Sequence, residues 1–429
     1  MINKEKWIEL IKDFHEKEIP SLIPREIDIP LKIPINRAIT IIGPRRAGKT
    51  YVIYQLISEL LKTIEKKQIL YINLEKSGLG FLSDIDLNLM LESFYELYPN
   101  NKKKEIYLFL DEIQNVSSWE KFARTCLDEN IKVYLSGSSS KMLSKEIATS
   151  MRGRTLVYQI FPFSFREFLK AKNIANTKNL SSSEKSEILN LFREYFVYGG
   201  YPEAIIFSQE KEKILSEILE VTIYKDVIER AKIRNIKALK ILINSLIEAN
   251  VFSINKFYNY LKTIGIKAGK NVLYQYIEYL NDAFFAFMLR KFSYSYKKTE
   301  ATIPKPYIID NGFFFIKNID KKSKLMENLV NIELLRRGKT VAYYSDASGE
   351  IDFVEKEKEK ITSLIQVSYE ISDFNTKDRE IKPLVRLSDY FKCKNLIVIT
   401  WDYEGEETIK GKKIKFIPLW KWLLEKELK

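Results

Sequence analysis

Apolar residues follow two rhythms along the chain. Three short, nearly continuous apolar runs, at 37–42, 106–110 and 131–135, each end in glycine, acidic or serine residues. Runs of that length and closure predict strands buried on both faces of a parallel sheet. Elsewhere apolar residues fall at helical spacing. Val52, Leu56, Ile57, Leu60 and Leu61 mark a helix that starts just after the first run. The opening segment, 1–18, mixes charges with Trp7, Ile8 and Ile11 and predicts an amphipathic helix, with His15, the only histidine, on its surface.

Beyond Phe168 the pattern turns helical and charged. Residues 173–187 read as a polar linker, Tyr198-Gly-Gly-Tyr-Pro202 as a sharp redirection, and 210–249 as helices of a lid or of an ordinary bundle. Ser253 is placed to cap a helix carrying Ile254, Phe257 and Leu261. The turn Gly265-Ile-Lys-Ala-Gly269 then leads into a second helix, 270–280, that buries Leu273, Ile277 and Leu280. Lys270, Asn271, Tyr274 and Gln275 are left near its exposed start. Alternation over 285–296 predicts the strands of a wing, so that Lys291, Lys297 and Lys298 reach a DNA backbone. The same helix pair equally suits a protein contact. Further on, a helix at 327–337 precedes strand-like runs at 341–344, 349–354 and 364–368.

Length and composition bound this picture. At 429 residues the chain exceeds one ordinary core, and roughly 150 residues per domain predicts about three domains. With 45% hydrophobic residues, the 30% charged fraction reads as surface rather than disorder. Seventy Lys and Arg against 57 Asp and Glu give +13, which suits an anionic partner such as nucleic acid, or the ion-pair-rich surface of a heat-adapted protein. Cys126 and Cys393 lie far apart in apolar surroundings, which argues against a disulfide framework or a cysteine-based metal site and fits a reducing cytoplasm. A single histidine excludes His-based triads and zinc sites. No apolar signal core and no membrane-spanning run is present in the sequence.

The chemistry sits at the ends of the predicted strands. The first run passes directly into Gly43-Pro-Arg-Arg-Ala-Gly-Lys-Thr50, which matches the phosphate-binding pattern G-x-x-x-x-G-K-[ST]. Gly43 and Gly48 allow the tight backbone that turns N–H groups of Pro44-Arg45-Arg46-Ala47 and its neighbours toward phosphate, excepting the proline, which has none. Lys49 supplies charge to the β- and γ-phosphates, Thr50 offers a hydroxyl to Mg²⁺, and Tyr51 opens a helix whose N-terminal dipole favours the anion. The second run ends in Asp111-Glu112, one carboxylate for Mg²⁺ and the next to polarise an attacking water. The third ends in Ser136-Gly-Ser-Ser-Ser140, where Ser136 and Ser138 are placed to sense a γ-phosphate or that water, unless the segment is a plain serine turn. Arg154, in Met151-Arg-Gly-Arg154, is a candidate finger for phosphate or a solvated basic turn.

These motifs carry a resemblance. The phosphate loop, Leu108-Phe-Leu-Asp-Glu-Ile-Gln114 followed by Trp119, Leu135-Ser-Gly-Ser-Ser139, Arg152-Gly-Arg154, Phe161-Pro-Phe-Ser-Phe-Arg-Glu-Phe168 and Tyr198-Gly-Gly-Tyr-Pro-Glu203 resemble the archaeal and bacterial AAA-type ATPase family over nearly the whole chain. The resemblance implies ATP as the nucleotide. It also implies an α/β multidomain fold: a parallel-sheet ATPase core at 1–170, a helical lid or linker at 171–235, a winged helix at 236–310, and an α/β nuclease-like domain at 311–429. In that last domain Glu327 and Asp352 match acidic positions. Gln366-Val-Ser368 stands where an acidic residue and a lysine are expected, which predicts a degenerate site.

The expected function is therefore Mg²⁺-dependent ATP binding and hydrolysis that moves or switches a winged-helix and nuclease-like arm on double-stranded DNA. A second copy or a protein client is a further partner to consider. Two rivals stand beside it: an ATP-regulated signalling or binding scaffold with little turnover, which Glu112 disfavours, and an ATP-dependent nuclease, which Gln366 and Ser368 disfavour.

Overall fold

A computed structural model describes residues 2–32, 35–76, 79–138, 150–295, 297, 299, 302–347, 349–371 and 374–425. Two compact units divide the chain, Met1–Phe161 and Pro162–Lys429.

The first unit is built on a five-stranded parallel sheet. Its strands are β1 (Ala38–Ile42), β2 (Ile69–Asn73), β3 (Tyr107–Asp111), β4 (Lys132–Gly137) and β5 (Thr155–Gln159), in the order β2-β3-β4-β1-β5. Every residue of β1 and β3 is buried, as continuous apolar runs require when helices cover both faces. Helix α1 is Lys4–Glu16, α2 is Lys49–Leu60, α3 is Asp84–Leu97 and α4 is Trp119–Asp128. Val52, Ile53, Leu56, Ile57 and Leu60 on α2 pack with Ile39, Ile41, Tyr71, Phe109 and Tyr134 from the sheet.

Parallel pairing gathers all strand C-termini on one edge, which is where open sheets of this kind bind ligands. Asn73 pairs with Asp111, and Ile42 with Gly137. The phosphate-loop strand and the acidic strand are not neighbours, because β4 lies between them. His15 departs from its expected solvated position. It is half-buried, with Nδ1 2.8 Å from the Tyr98 hydroxyl and Nε2 2.9 Å from the Ile69 carbonyl oxygen. Burial lowers its pKa, so it serves packing and not charge.

The second unit begins with α5 (Phe165–Ala171) and α6 (Ser182–Tyr198). Ser164 and Glu167 form a capping box on α5, and Phe165 and Phe168 stack into an aromatic cluster with Phe192 and Tyr195. The expected linker at 173–187 is shorter than its polarity suggested. Ser181 and Glu184 form a second capping box, so α6 is helical from Ser182. Helices α7 (Pro202–Ile206), α8 (Lys211–Val221) and α9 (Ile236–Glu248) follow, with a π-helical stretch at Thr222–Glu229.

The two glycines before α7 have a tertiary cause. Gly199 has φ +75°, and a Cβ there would lie 1.7 Å from Asp310 Oδ1. Gly200 donates its N–H to Asp310 Oδ2 at 2.7 Å, and Gly312 donates to Oδ1 at 2.9 Å. Burial pushes the Asp310 carboxyl up to about 7 despite these bonds.

Ser253 caps α10 (Ile254–Thr263), and α11 (Lys270–Asp282) follows a short turn. Leu273, Tyr276 and Leu280 are buried on α11; Tyr276 takes the place expected of Ile277, which is only half-buried. The strands after α11 also differ from expectation. Among the described residues of 285–296 the strand is β6 (Ala286–Leu289), and its antiparallel partner β7 (Lys305–Ile308) comes from further along the chain.

The remainder contains α12 (Gly312–Ile316), α13 (Lys322–Arg336), β8 (Thr340–Asp346), β9 (Gly349–Glu357), β10 (Lys360–Ser368), α14 (Phe374–Tyr390), β11 (Leu396–Thr400), β12 (Gly405–Ile409), β13 (Lys412–Pro418) and α15 (Leu419–Leu424). Its six strands form a mixed sheet in the order β8-β9-β10-β11-β13-β12. Leu384, Val385 and Leu387 of α14 pack on Ile351, Leu364, Val398 and Phe416. Among the described residues, no helix is long and apolar enough to cross a membrane.

Candidate active site

The phosphate loop folds as its glycines require. Gly43 has φ +155° and Gly48 +95°, and Arg46 adopts the left-handed region at +60°. A Cβ on Gly43 would lie 2.3 Å from the Ile160 carbonyl oxygen, so no larger residue fits. Gly48 stands at the N-cap of α2 without a side chain to satisfy the first-turn N–H groups, which leaves them to an anion. Lys49 is buried, and its ammonium donates to the carbonyl oxygens of Gly43 at 3.2 Å and Pro44 at 3.1 Å. Arg45 leaves the loop to pair with Glu75 at 2.9 Å, and Tyr51 is half-exposed on α2.

The carboxylates stand opposite. Asp111 Oδ2 accepts from Thr50 Oγ1 at 2.7 Å, Asn73 Nδ2 at 3.2 Å and the Tyr71 hydroxyl at 3.3 Å. Its Oδ1 accepts from the Ser136 hydroxyl, which itself accepts the Glu112 N–H at 3.1 Å. Burial raises the Asp111 carboxyl, and the hydrogen bonds from Ser136 and Thr50 offset part of that. Glu112 is the residue at which β3 breaks into the left-handed region, with φ +57°. Burial opposes its charge, but Lys49, 3.6 Å from Oε1, and Gln114, 2.5 Å from Oε2, hold its carboxyl below the usual range.

These groups fit Mg²⁺ and a nucleoside triphosphate. Thr50 and Asp111 present a hydroxyl and a carboxylate at one point, the hard-oxygen pair that Mg²⁺ takes while keeping phosphate and water as its other ligands. Of the residues expected from sequence, 43–50, Asp111, Glu112, Ser136 and Ser138 gather at this edge. Ser138 meets the others through Gln114, whose Nε2 lies 3.3 Å from the Ser138 hydroxyl.

Arg154 is not brought to this edge. It precedes β5, its carbonyl oxygen accepts the N–H of Ala38 at the start of β1, and its guanidinium pairs with Asp128 at 2.5 Å. Five strand residues separate that position from the phosphate loop, about 16 Å at 3.3 Å per residue. Where the sequence offered a phosphate finger or a solvated basic turn, Arg154 forms an exposed ion pair away from the phosphate loop of its own chain. Sequence reasoning missed Tyr71 and Asn73, which carry no motif and meet Asp111 only through the β2–β3 register. It quoted Gln114 without a role.

In the second unit, Lys270, Asn271, Tyr274 and Gln275 are all exposed on the first turns of α11. Lys270 and Lys262 both place their ammonium groups over the Tyr258 ring, at 5.2 and 4.6 Å. Lys291 lies apart from that face. It is half-buried and forms a bridge with Tyr343, so its backbone belongs to the approach to the six-stranded sheet. Lys297 is exposed, and Lys298 lies outside the described residues.

Glu327, Asp352 and Gln366 do come together. Gln366 Oε1 accepts the Asp352 N–H at 3.3 Å and its amide donates to Glu380 at 2.5 Å, whereas Ser368 turns to the Glu370 carbonyl oxygen. A lysine that the sequence reading did not single out joins them. Lys305, from β7, is buried with its ammonium 2.9 Å from Glu327, 2.6 Å from Glu350 and 3.1 Å from Asp352. Among the described residues, no group of His, Cys, Asp and Glu is arranged to hold a metal ion.

Fold and site define the first unit as a phosphate-loop AAA domain, and comparison with known proteins agrees: residues 35–169 match the AAA domain family AAA_14. Residues 189–322 match a domain of unknown function, DUF8612. The chain is 40% identical over 412 residues to an uncharacterised protein of Methanocaldococcus jannaschii, spanning 92% of this chain and 90% of that one, and it belongs to the same family. An uncharacterised protein of Haemophilus influenzae is 31% identical over 393 residues, 89% of this chain and 93% of its own. Among solved structures, the Walker-type ATPase of Pyrococcus abyssi is similar with 14% identity and a TM-score of 0.44, covering 74% of this chain and 96% of that one. The Aeropyrum pernix ORC1 protein in complex with DNA has 11% identity and a TM-score of 0.31, covering 78% and 92%.

Proposed function

We propose that this protein binds and hydrolyses ATP with Mg²⁺ and uses the nucleotide state to drive or switch its second unit, on double-stranded DNA, in the cytoplasm. The observation that carries the reading is the convergence of Lys49, Thr50, Asp111, Glu112 and Ser136 on one sheet edge. The residues Gly43 to Thr50 cradle the phosphates, and Tyr51 borders the nucleotide. Thr50 and Asp111 hold Mg²⁺, which when bound supplies positive charge to the phosphate oxygens. Lys49 leaves the Gly43 and Pro44 carbonyls for the β- and γ-phosphates. Ser136 fixes Asp111 and the Glu112 backbone together, and Glu112 orients water for in-line attack.

In this reading 1–170 is the ATPase core, 171–235 a lid or linker, 236–310 a winged helix and 311–429 a degenerate nuclease-like domain. The exposed start of α11, with Lys262 and Lys270 around Tyr258, supports a nucleic-acid face of mixed charge and aromatic character. A second copy or a protein client is the further partner. The test is a multiple-turnover ATPase assay with and without duplex DNA. Turnover that DNA accelerates is expected; ATP bound without turnover favours the scaffold instead.

DNA binding is expected to weaken steeply between 50 and 200 mM salt, on the order of tenfold or more, because released counterions dominate such contacts. Lys270→Ala should flatten the slope of affinity against salt. Binding that ignores salt assigns the +13 charge to heat adaptation.

No DNA cleavage is expected from the cluster around Asp352. Gln366 lacks the charge of a metal-binding carboxylate, Ser368 points elsewhere, and the Lys305 ammonium already occupies the space between Glu327, Glu350 and Asp352. Purified protein incubated with supercoiled DNA in Mg²⁺ or Mn²⁺ should leave it intact. Cleavage that an Asp352→Ala control abolishes would promote the nuclease reading.

A further inference from the structure

The turn after β3 brings Gln114 back over the residue that starts it. Glu112 enters the left-handed region, which is uncommon for a residue other than glycine. Ile113, fully buried, anchors the one-turn helix Ile113–Asn115, and the Gln114 side chain then lies over the Glu112 carboxylate. Its Nε2 is 2.5 Å from Glu112 Oε2 and 3.3 Å from the Ser138 hydroxyl. The amide has one sensible orientation, since the reverse would set its oxygen against a carboxylate oxygen. Its own Oε1 is buried and, among the described residues, accepts no hydrogen bond. Glu112 and Ser138 therefore fix the amide, and the needs of its oxygen do not.

We infer that Gln114 positions Glu112 for its work on the attacking water, and that Ser138 acts through Gln114 and not on the phosphate. The inference rests on Glu112 being the water-orienting residue. Around the Glu112 carboxylate, Lys49 lies 3.6 Å from Oε1 and Gln114 2.5 Å from Oε2, and the Arg45 charge also favours its ionised form. Lys49 is the group that nucleotide phosphates claim. Once they do, the Gln114 amide still holds the carboxylate where β4 ends. Ser138, the last described residue beyond β4, keeps that amide from swinging away. The arrangement ties the serine-rich strand end to the acidic strand through one side chain.

The test uses the full-length protein with Gln114→Glu, which keeps shape, removes both N–H donors and sets a like charge against Glu112. Its kcat should fall about tenfold to a hundredfold, the scale of a misplacement near 1 Å. The dissociation constant for a fluorescent ATP analogue should stay within about threefold, because no phosphate contact is lost. Nucleotide extracted from the mixed complex should be mostly ATP, where wild type yields ADP. Ser138→Ala should lower kcat less, and should add nothing in the Gln114→Glu background, as expected of residues acting in one relay. Gln114→Asn keeps the amide on a shorter arm, and should fall between wild type and Gln114→Glu if the donor matters. Wild-type kcat in Gln114→Glu, or affinity falling in step with kcat, overturns the inference. Glu112→Gln run alongside separates the two readings: full activity there removes the premise, whereas inactivity there with full activity in Gln114→Glu removes only the role of Gln114.

Discussion

Glu112→Gln is expected to keep ATP bound and to stop its hydrolysis. The substitution preserves the shape of the side chain and an acceptor toward Gln114, so the turn after β3 should persist. What it removes is the charge that orients and polarises water. Loss of such a group lowers turnover by about a hundredfold to ten-thousandfold, which corresponds to roughly 3–5 kcal/mol of transition-state stabilisation. Affinity should hold, because Lys49 is then free of an ion pair that otherwise competes with phosphate. Lys49→Ala should behave differently. It removes the ammonium that spans the loop carbonyls, and ATP affinity itself should fall by about tenfold or more. Single-turnover hydrolysis together with equilibrium binding distinguishes the two patterns. A Glu112→Gln protein that turns over at the wild-type rate assigns the water to another residue.

Lys305→Met is expected to be the most damaging single change in the second unit. The ammonium lies within 3.1 Å of one oxygen from each of Glu327, Glu350 and Asp352, and both Lys305 and Asp352 are buried. Burial disfavours the lysine charge, yet Asp352, Glu327 and Glu350 together hold its pKa well above the usual range. Removing the cation leaves Asp352 buried beside like charges. Breaking a buried pair in this way costs about 3–5 kcal/mol, and a unit of this size should melt on the order of 10 °C lower. Glu350 is partly exposed and contributes little to that figure. Scanning calorimetry of Lys305→Met against Lys305→Met/Asp352→Asn checks the cause, since the second change should restore much of the loss. A melt unchanged in the single variant means that water reaches the cluster and screens it.

The nucleotide site was legible because its parts are local. A strand, a glycine loop and a helix start occupy adjacent positions in sequence, and each residue type in 43–50 has a steric or electrostatic reason that needs no distant partner. Asp111 and Glu112 likewise announce themselves at the end of an apolar run. Residues 139–149, with the last two serines of that segment, lie outside the described residues. The helix start at Ser253 was legible from its capping chemistry, whereas the caps at Ser164 and Ser181 emerged only in the structure, the second from inside an apparent linker.

Sequence by itself thus determined the phosphate loop, the acidic pair and the alternation of buried strands with amphipathic helices, since these rest on backbone sterics and periodicity over a few residues. Tertiary structure decided which strand ends meet. Asn73 and Tyr71 reach Asp111 only because β2 pairs in register with β3, and Arg154 stands away from them because it precedes the start of its strand while Asp111 lies at a strand end. Gly199 is required by Asp310, more than a hundred residues away, and Lys305 completes a carboxylate cluster from a strand outside the run of motifs. The physical reason is the same in each case. Buried charge and close backbone contact are settled by neighbours in space, and sequence distance carries no record of them.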